Sequence, residues 1–118
     1  MKIRGKVISG LGLGAFYVRL PQYKSFFTEL LQCDVFEGTL NIELENATWK
    51  KIRSMKKFKP TDGNLIFYTI GRVYNDRIII LRPSKSRHPE NVIEIVACDN
   101  LRKKYDLLDG DTVIISIE

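Results

Sequence analysis

Long apolar runs are missing from this chain. None approaches the roughly 20 residues that cross a bilayer as a helix, which excludes a helical membrane span. Histidine and cysteine are scarce, with one and two residues among 118. Cys33 and Cys98 lie far apart, and with the single histidine they form no ligand spacing, which excludes a zinc site. The N-terminal Met1-Lys2-Ile3-Arg4-Gly5 carries charge with no apolar signal core behind it, so no targeting segment is read. Two half-buried free thiols in a reducing cytosol are therefore expected rather than a disulfide. Repeats, linkers and low-complexity stretches are also lacking. A length of 118 residues suits one ordinary domain, 1–118, with no space for separate cofactor and substrate domains. No Gly-Lys-Ser/Thr ending follows any glycine run, which excludes a Walker A loop.

What is present is a foldable, basic chain. Hydrophobic residues make up 44%, enough for a packed interior, and the net charge is +5. Such a charge suits a polyanion, either nucleic acid or a nucleoside triphosphate. Much of it falls in Trp49 to Lys59, which reads as a solvated basic face or as an electrostatic funnel for an anionic substrate.

The pattern is mainly β. Residues 2–8 read as a strand, 9–14 as a loop, and 15–19, with Phe16, Tyr17 and Val18, as a second strand stopped by Pro21. Tyr23, Phe26, Phe27, Leu30 and Leu31 recur at helical spacing behind Pro21, which suits a helix N-terminus. Thr39 to Leu44 alternates strictly, with Leu40, Ile42 and Leu44 on one face and Thr39, Asn41 and Glu43 on the other. Leu65–Val73 and Arg77–Leu81 predict a hairpin about Tyr74-Asn75-Asp76. Val92–Ala97 and Thr112–Ile117 predict two more strands. Asp99 to Tyr105 reads as one or two helical turns with Asp99 as N-cap. Many short strands with one firm helix point to a closed barrel rather than a βαβ sheet.

Several short segments carry chemistry. Gly10-Leu11-Gly12-Leu13-Gly14 packs three glycines into five positions, a loop that can take positive φ and approach a ligand closely. Its bare amides form an anion cradle, or the loop is only a tight turn. Gly10-x-Gly12-x-x-Ala15, with Asp34 downstream, also fits a loose dinucleotide fingerprint. That fit is rejected on context, because the loop is read as opening a strand and the fingerprint must open a helix. Thr39 and Asn41 offer two neutral oxygens on one strand face, suited to Mg²⁺ beside a triphosphate or simply to solvent. Glu94 interrupts an apolar run and faces either water or a ligand cavity. Arg102 is free to hold a phosphate or to lie exposed.

In their order these segments resemble the archaeal CTP-dependent riboflavin kinases. The likeness rests on Ser9 to Gly14, Leu20-Pro21-Gln22-Tyr23-Lys24, Phe36-Glu37-Gly38-Thr39-Leu40-Asn41, Val92 to Ala97, Asn100-Leu101-Arg102 and Leu107 to Asp111, and is weakest about residues 46–80. It implies a small closed cradle-loop (RIFT-type) β-barrel with one or two short helices. It also implies transfer of the γ-phosphate of CTP to the terminal ribityl hydroxyl of riboflavin, giving FMN and CDP. By position, Gly10, Leu11, Gly12, Leu13, Gly14, Ala15, Asp99, Asn100, Leu101 and Arg102 fall at the nucleotide site. Thr39 and Asn41 fall at the Mg²⁺ ligands, and Ser86 and Glu94 at the flavin site. Glu94 is the candidate general base. Ser86 replaces the threonine frequent in that family and keeps a hydroxyl. The expected protein is a cytoplasmic monomer without stable nucleic-acid or membrane partners. The competing expectation is an AbrB-like barrel that binds DNA or nucleotide without catalysis.

Overall fold

The computed structural model describes residues 1–10 and 13–118, Leu13 by its backbone alone. Among these residues, seven strands form one antiparallel sheet: β1 (Lys2–Ile8), β2 (Leu40–Leu44), β3 (Lys56–Phe58), β4 (Ile66–Val73), β5 (Asp76–Pro83), β6 (Val92–Val96) and β7 (Thr112–Ile117). Their order is β3-β4-β5-β6-β2-β1-β7, and β4 also pairs with β7 through Gly71↔Ile117, Arg72↔Ser116 and Val73↔Ile115. This second pairing closes six strands into a barrel and leaves β3 as a flap on β4. Closure removes the exposed edges that an open sheet would present. The barrel expectation is met.

Strand periodicity sorts side chains between two cores. In β5, Ile78 and Ile80 point into the barrel beside Ile42, Ile93, Ile95 and Ile115. Ile79 and Leu81 point outward, under Tyr23, Phe27 and Leu31 of the helical layer. The continuous run Ile78-Ile79-Ile80-Leu81 is thus a strand buried on both faces. That layer is α1 (Leu13–Arg19) and α2 (Pro21–Leu31), with Pro21 in the first turn of α2.

The expected strand at 15–19 is wrong, since these residues form α1. Phe16, Tyr17 and Val18 favour strands intrinsically, but Val18 is fully buried and Tyr17 nearly so in the outer core, and packing overrides the propensity. Extended Leu20 before Pro21 ends the helix after seven residues. The hairpin turns on two residues, Tyr74-Asn75, rather than three. A third helix, α3 (Leu101–Lys104), is capped by Asn100, not Asp99: Asn100 Oδ1 accepts from the Lys103 amide at 3.3 Å.

The thiol expectation also fails. Cys33 and Cys98 form a disulfide. Cys33 follows the end of α2 and Cys98 follows β6. Packing of α2 on the outer face brings their Cα atoms to 5.9 Å, inside the range a bridge requires. Sequence separation gave no sign of that proximity.

Candidate active site

On β2 and β6 the inward residues fill the barrel, so their neighbours face outward. Asn41 and Glu94 are direct cross-strand partners, as are Leu81 and Glu94. Both polar side chains are nonetheless buried, Asn41 at 8% and Glu94 at 2% exposure. Gly10 and the start of α1, with Gly14, cover them. A Cβ on Gly10 would overlap the Asn41 side-chain amide, and one on Gly14 would overlap Glu94 Oε1 and come within 2.8 Å of Thr39 Cγ2. Gly10 and Gly14 are therefore required for close approach and not for positive φ, which neither adopts. Leu11 and Gly12 lie outside the described residues.

This cover leaves two cavities. The first, about 380 Å³, is lined by Ser9, Gly10, Thr39, Asn41 and Arg102 among others. The second, about 270 Å³, lies between Phe16 and Tyr17 of α1, Ser86 of the β5–β6 loop, and Glu94. Thr39 joins them: it lines the first cavity, and its hydroxyl donates to Glu94 Oε1 at 3.3 Å. Burial pushes the Glu94 carboxyl above its ordinary range. The Thr39 hydroxyl, the Gly14 amide and the charge of Arg82 oppose that rise.

Asn41 Oδ1 is buried and has no hydrogen-bond donor among the described residues. An orphaned acceptor of that kind costs ~1–3 kcal/mol, which a cation would recover. Thr39 supplies a second neutral oxygen at the same cavity. Two such donors suit Mg²⁺, which keeps water and substrate oxygens in its shell. Among the described residues no cluster of three His, Cys, Asp or Glu could hold a metal by itself. The residues thus fit a substrate-associated Mg²⁺ and not an all-protein cage.

Arg102 reaches back from α3 to the end of β1. Its Nη2 donates to the Ile8 carbonyl at 3.1 Å and to Asp109 Oδ1 at 2.5 Å. Ser9 Oγ donates to the other oxygen of Asp109 at 2.6 Å. Hydroxyl and guanidinium together hold that carboxyl below its usual range. The expected nucleotide residues Asp99, Asn100 and Leu101 do line the first cavity, as does Ala15. Asp99 is exposed and paired with Lys104 at 3.2 Å, Asn100 is engaged as a cap, and Leu101 is buried. Ser86 lines the second cavity, and its Oγ accepts from the His88 amide at 3.2 Å.

Arg82 was missed in sequence. It is buried, and it donates to the carbonyls of His88 (2.9 Å), Pro89 (2.8 Å) and Val92 (2.9 Å), fixing the loop over the second cavity. A cation directly following Leu81 in a buried strand was the only available signal. No residue of the basic stretch 49–59 lines either cavity, so a funnel into them finds no support and the solvated face stands. Asp34, the fingerprint acid, is exposed and paired with Lys24 at 3.3 Å. A helix does follow Gly10, against expectation: Leu13 and Gly14, expected in the loop, already belong to α1. The dinucleotide reading fails instead because β1 sits in an antiparallel barrel and not in a βαβ unit.

Comparison with known proteins places this arrangement in a family. Residues 7–117 match the sequence profile of the CTP-dependent riboflavin kinases, described as a domain of unknown function, DUF120. A riboflavin kinase of Staphylothermus marinus is 35% identical, over 99% of this chain and 92% of its own. One of Methanococcus aeolicus is 32% identical, over 98% of both chains. One of Methanocella arvoryzae is 35% identical over 98% of this chain but only 56% of its own, so the chain spans about half the length of some curated relatives. The chain belongs to the CTP-dependent riboflavin kinase family.

Proposed function

We propose that this protein transfers the γ-phosphate of CTP to the terminal ribityl hydroxyl of riboflavin, giving FMN and CDP. The observation that carries the reading is the buried carboxylate of Glu94, which lines one cavity and is hydrogen-bonded to Thr39 of the other. Two substrates that must meet need two adjoining pockets with a proton acceptor at their junction.

In this reading the triphosphate occupies the first cavity. The amides of the Gly10–Gly14 segment and Arg102 hold it, with Leu11 and Gly12 taking part by family position. Thr39 and Asn41 would hold Mg²⁺, which when bound would neutralise charge on the phosphate oxygens. Ala15 and residues 99–101 complete the nucleotide wall. Riboflavin enters the second cavity beside Ser86, its ribityl end toward Glu94. Glu94 accepts the proton of the terminal hydroxyl as the oxygen attacks the γ-phosphorus. The new O–P bond forms while the bond from phosphorus to the β,γ-bridging oxygen breaks, and CDP leaves with that oxygen. Positioning and charge stabilisation supply most of the acceleration in such transfers.

The proposal treats residues 1–118 as one domain acting as a cytoplasmic monomer, without nucleic-acid or membrane partners. A disulfide is compatible with that location in hyperthermophilic archaea, whose intracellular proteins keep such bridges. Incubation with riboflavin, Mg²⁺ and CTP tests the reading by the appearance of FMN; no FMN would reject it.

A further inference from the structure

The proposed reaction brings together two flat ring systems, a pyrimidine base and the fused rings of a flavin. Neither has a stacking partner in the reading above. Three large aromatic side chains are exposed among the described residues: Phe16 at 53%, Phe36 at 41% and Tyr74 at 53%. Tyr74 sits on the hairpin turn, its ring centroid 4.4 Å from that of Tyr105, and lines neither cavity. The other two divide evenly, Phe36 at the first cavity and Phe16 at the second. Most other aromatic rings are taken up by packing, as in the stack of Phe26 on Phe58 at 3.8 Å and the edge contact of Tyr17 with Tyr23 at 5.0 Å.

A single exposed apolar residue means little. What is informative here is one at each cavity, each on a fixed base. The Phe16 ring meets Tyr17 edge-on at 6.1 Å, and Tyr17 is itself buried in the outer core. The Phe36 ring lies against Gly38, where an added Cβ would come within 2.6 Å of Phe36 Cε2. Glycine at 38 thus makes room for the ring. The Phe36 amide donates to the Ala97 carbonyl at 3.0 Å and ties that backbone to the end of β6. Both rings are held from behind and leave surface free toward a cavity.

We propose that Phe36 and Phe16 are the stacking platforms of the two substrates, Phe36 for the base of the nucleotide and Phe16 for the fused rings of the acceptor. This rests on the kinase reading. Base-on-ring stacking contributes enough that its loss weakens binding about 10-fold or more. Neither residue touches the reacting atoms in this assignment, so each governs the KM of one substrate.

Steady-state kinetics of Phe16→Leu and Phe36→Leu test it, since leucine keeps apolar volume without a ring face. Phe16→Leu is expected to raise the riboflavin KM about 10-fold with the CTP KM unmoved, and Phe36→Leu to do the reverse. Tryptophan at either position should restore the lost affinity. Quenching of riboflavin fluorescence on binding, which needs no turnover, should weaken in Phe16→Leu and persist in Phe36→Leu. An active wild type with either leucine variant moving both KM values, or neither, overturns the inference and leaves the kinase reading intact. A wild type that neither binds riboflavin nor forms FMN overturns both.

Discussion

In the proposed reaction, Glu94 concentrates the chemistry of the site in one side chain. Burial raises its carboxyl above the ordinary value of 4.5, so it binds a proton more tightly folded than unfolded. Such a group weakens the fold as pH rises from the ordinary value through the raised one, and the full penalty is present above both. Glu94→Gln removes that penalty while keeping an acceptor for the Thr39 hydroxyl. The variant should unfold at a higher temperature than wild type at about pH 8, with the gap closing near pH 4, as differential scanning calorimetry would record. Its turnover should fall about 100-fold or more, the usual loss with a general base. Undiminished turnover would remove the base assignment. Wild-type kcat should rise with pH through the raised value, because the base acts deprotonated. Asn41 makes a separate case. Asn41→Ala should shift the Mg²⁺ dependence of activity to higher concentration, with partial rescue at excess metal; an unmoved Mg²⁺ titration would reject it as a ligand. Gly14→Ala should also lose activity, because its Cβ takes the place of Glu94 Oε1.

Among the elements, α1 and the β5–β6 loop decide whether a site exists on this barrel face. Without Gly10 and α1, Asn41 and Glu94 would be ordinary outward residues of a sheet. Strand alternation placed Thr39, Asn41 and Glu94 on their faces from sequence, and the spacing of Tyr23, Phe27 and Leu31 placed α2. Alternation could not tell solvent from cover, because the cover lies far away in sequence. It also misread Phe16-Tyr17-Val18, whose helical state depends on packing against the outer core. The loop is held by a device invisible to any local pattern: one guanidinium serving the three carbonyls of His88, Pro89 and Val92. Arg82→Gln brings two N–H donors to three carbonyls and leaves at least one without a partner, at ~1–3 kcal/mol. Urea unfolding should show a loss of ~1–3 kcal/mol, and the riboflavin KM should rise more than that of CTP. An equal rise in both would mean that the loop does not shape the acceptor cavity.

The whole molecule is a closed barrel braced by one covalent link. The Cys33–Cys98 bridge spans 65 positions and ties the end of α2 to the strand that carries Glu94. Closing a loop of that length stabilises a fold by ~4 kcal/mol on the chain-entropy model. Cys33→Ser with Cys98→Ser should therefore lower the unfolding free energy by about that amount, and thiol titration of the unfolded, unreduced protein should find no free thiol. Two reactive thiols would restore the free-cysteine reading. The barrel's outer face, Gly10 and Gly14 against it and the paired cavities support the proposed phosphoryl transfer between a nucleotide and riboflavin. The most direct test is to incubate the purified chain with riboflavin and Mg²⁺ plus CTP, ATP, GTP or UTP in parallel, and to separate flavins by chromatography. The account predicts FMN with CTP, in step with CDP, and little with the others. No FMN with any nucleotide, or FMN formed equally well from ATP, would contradict it.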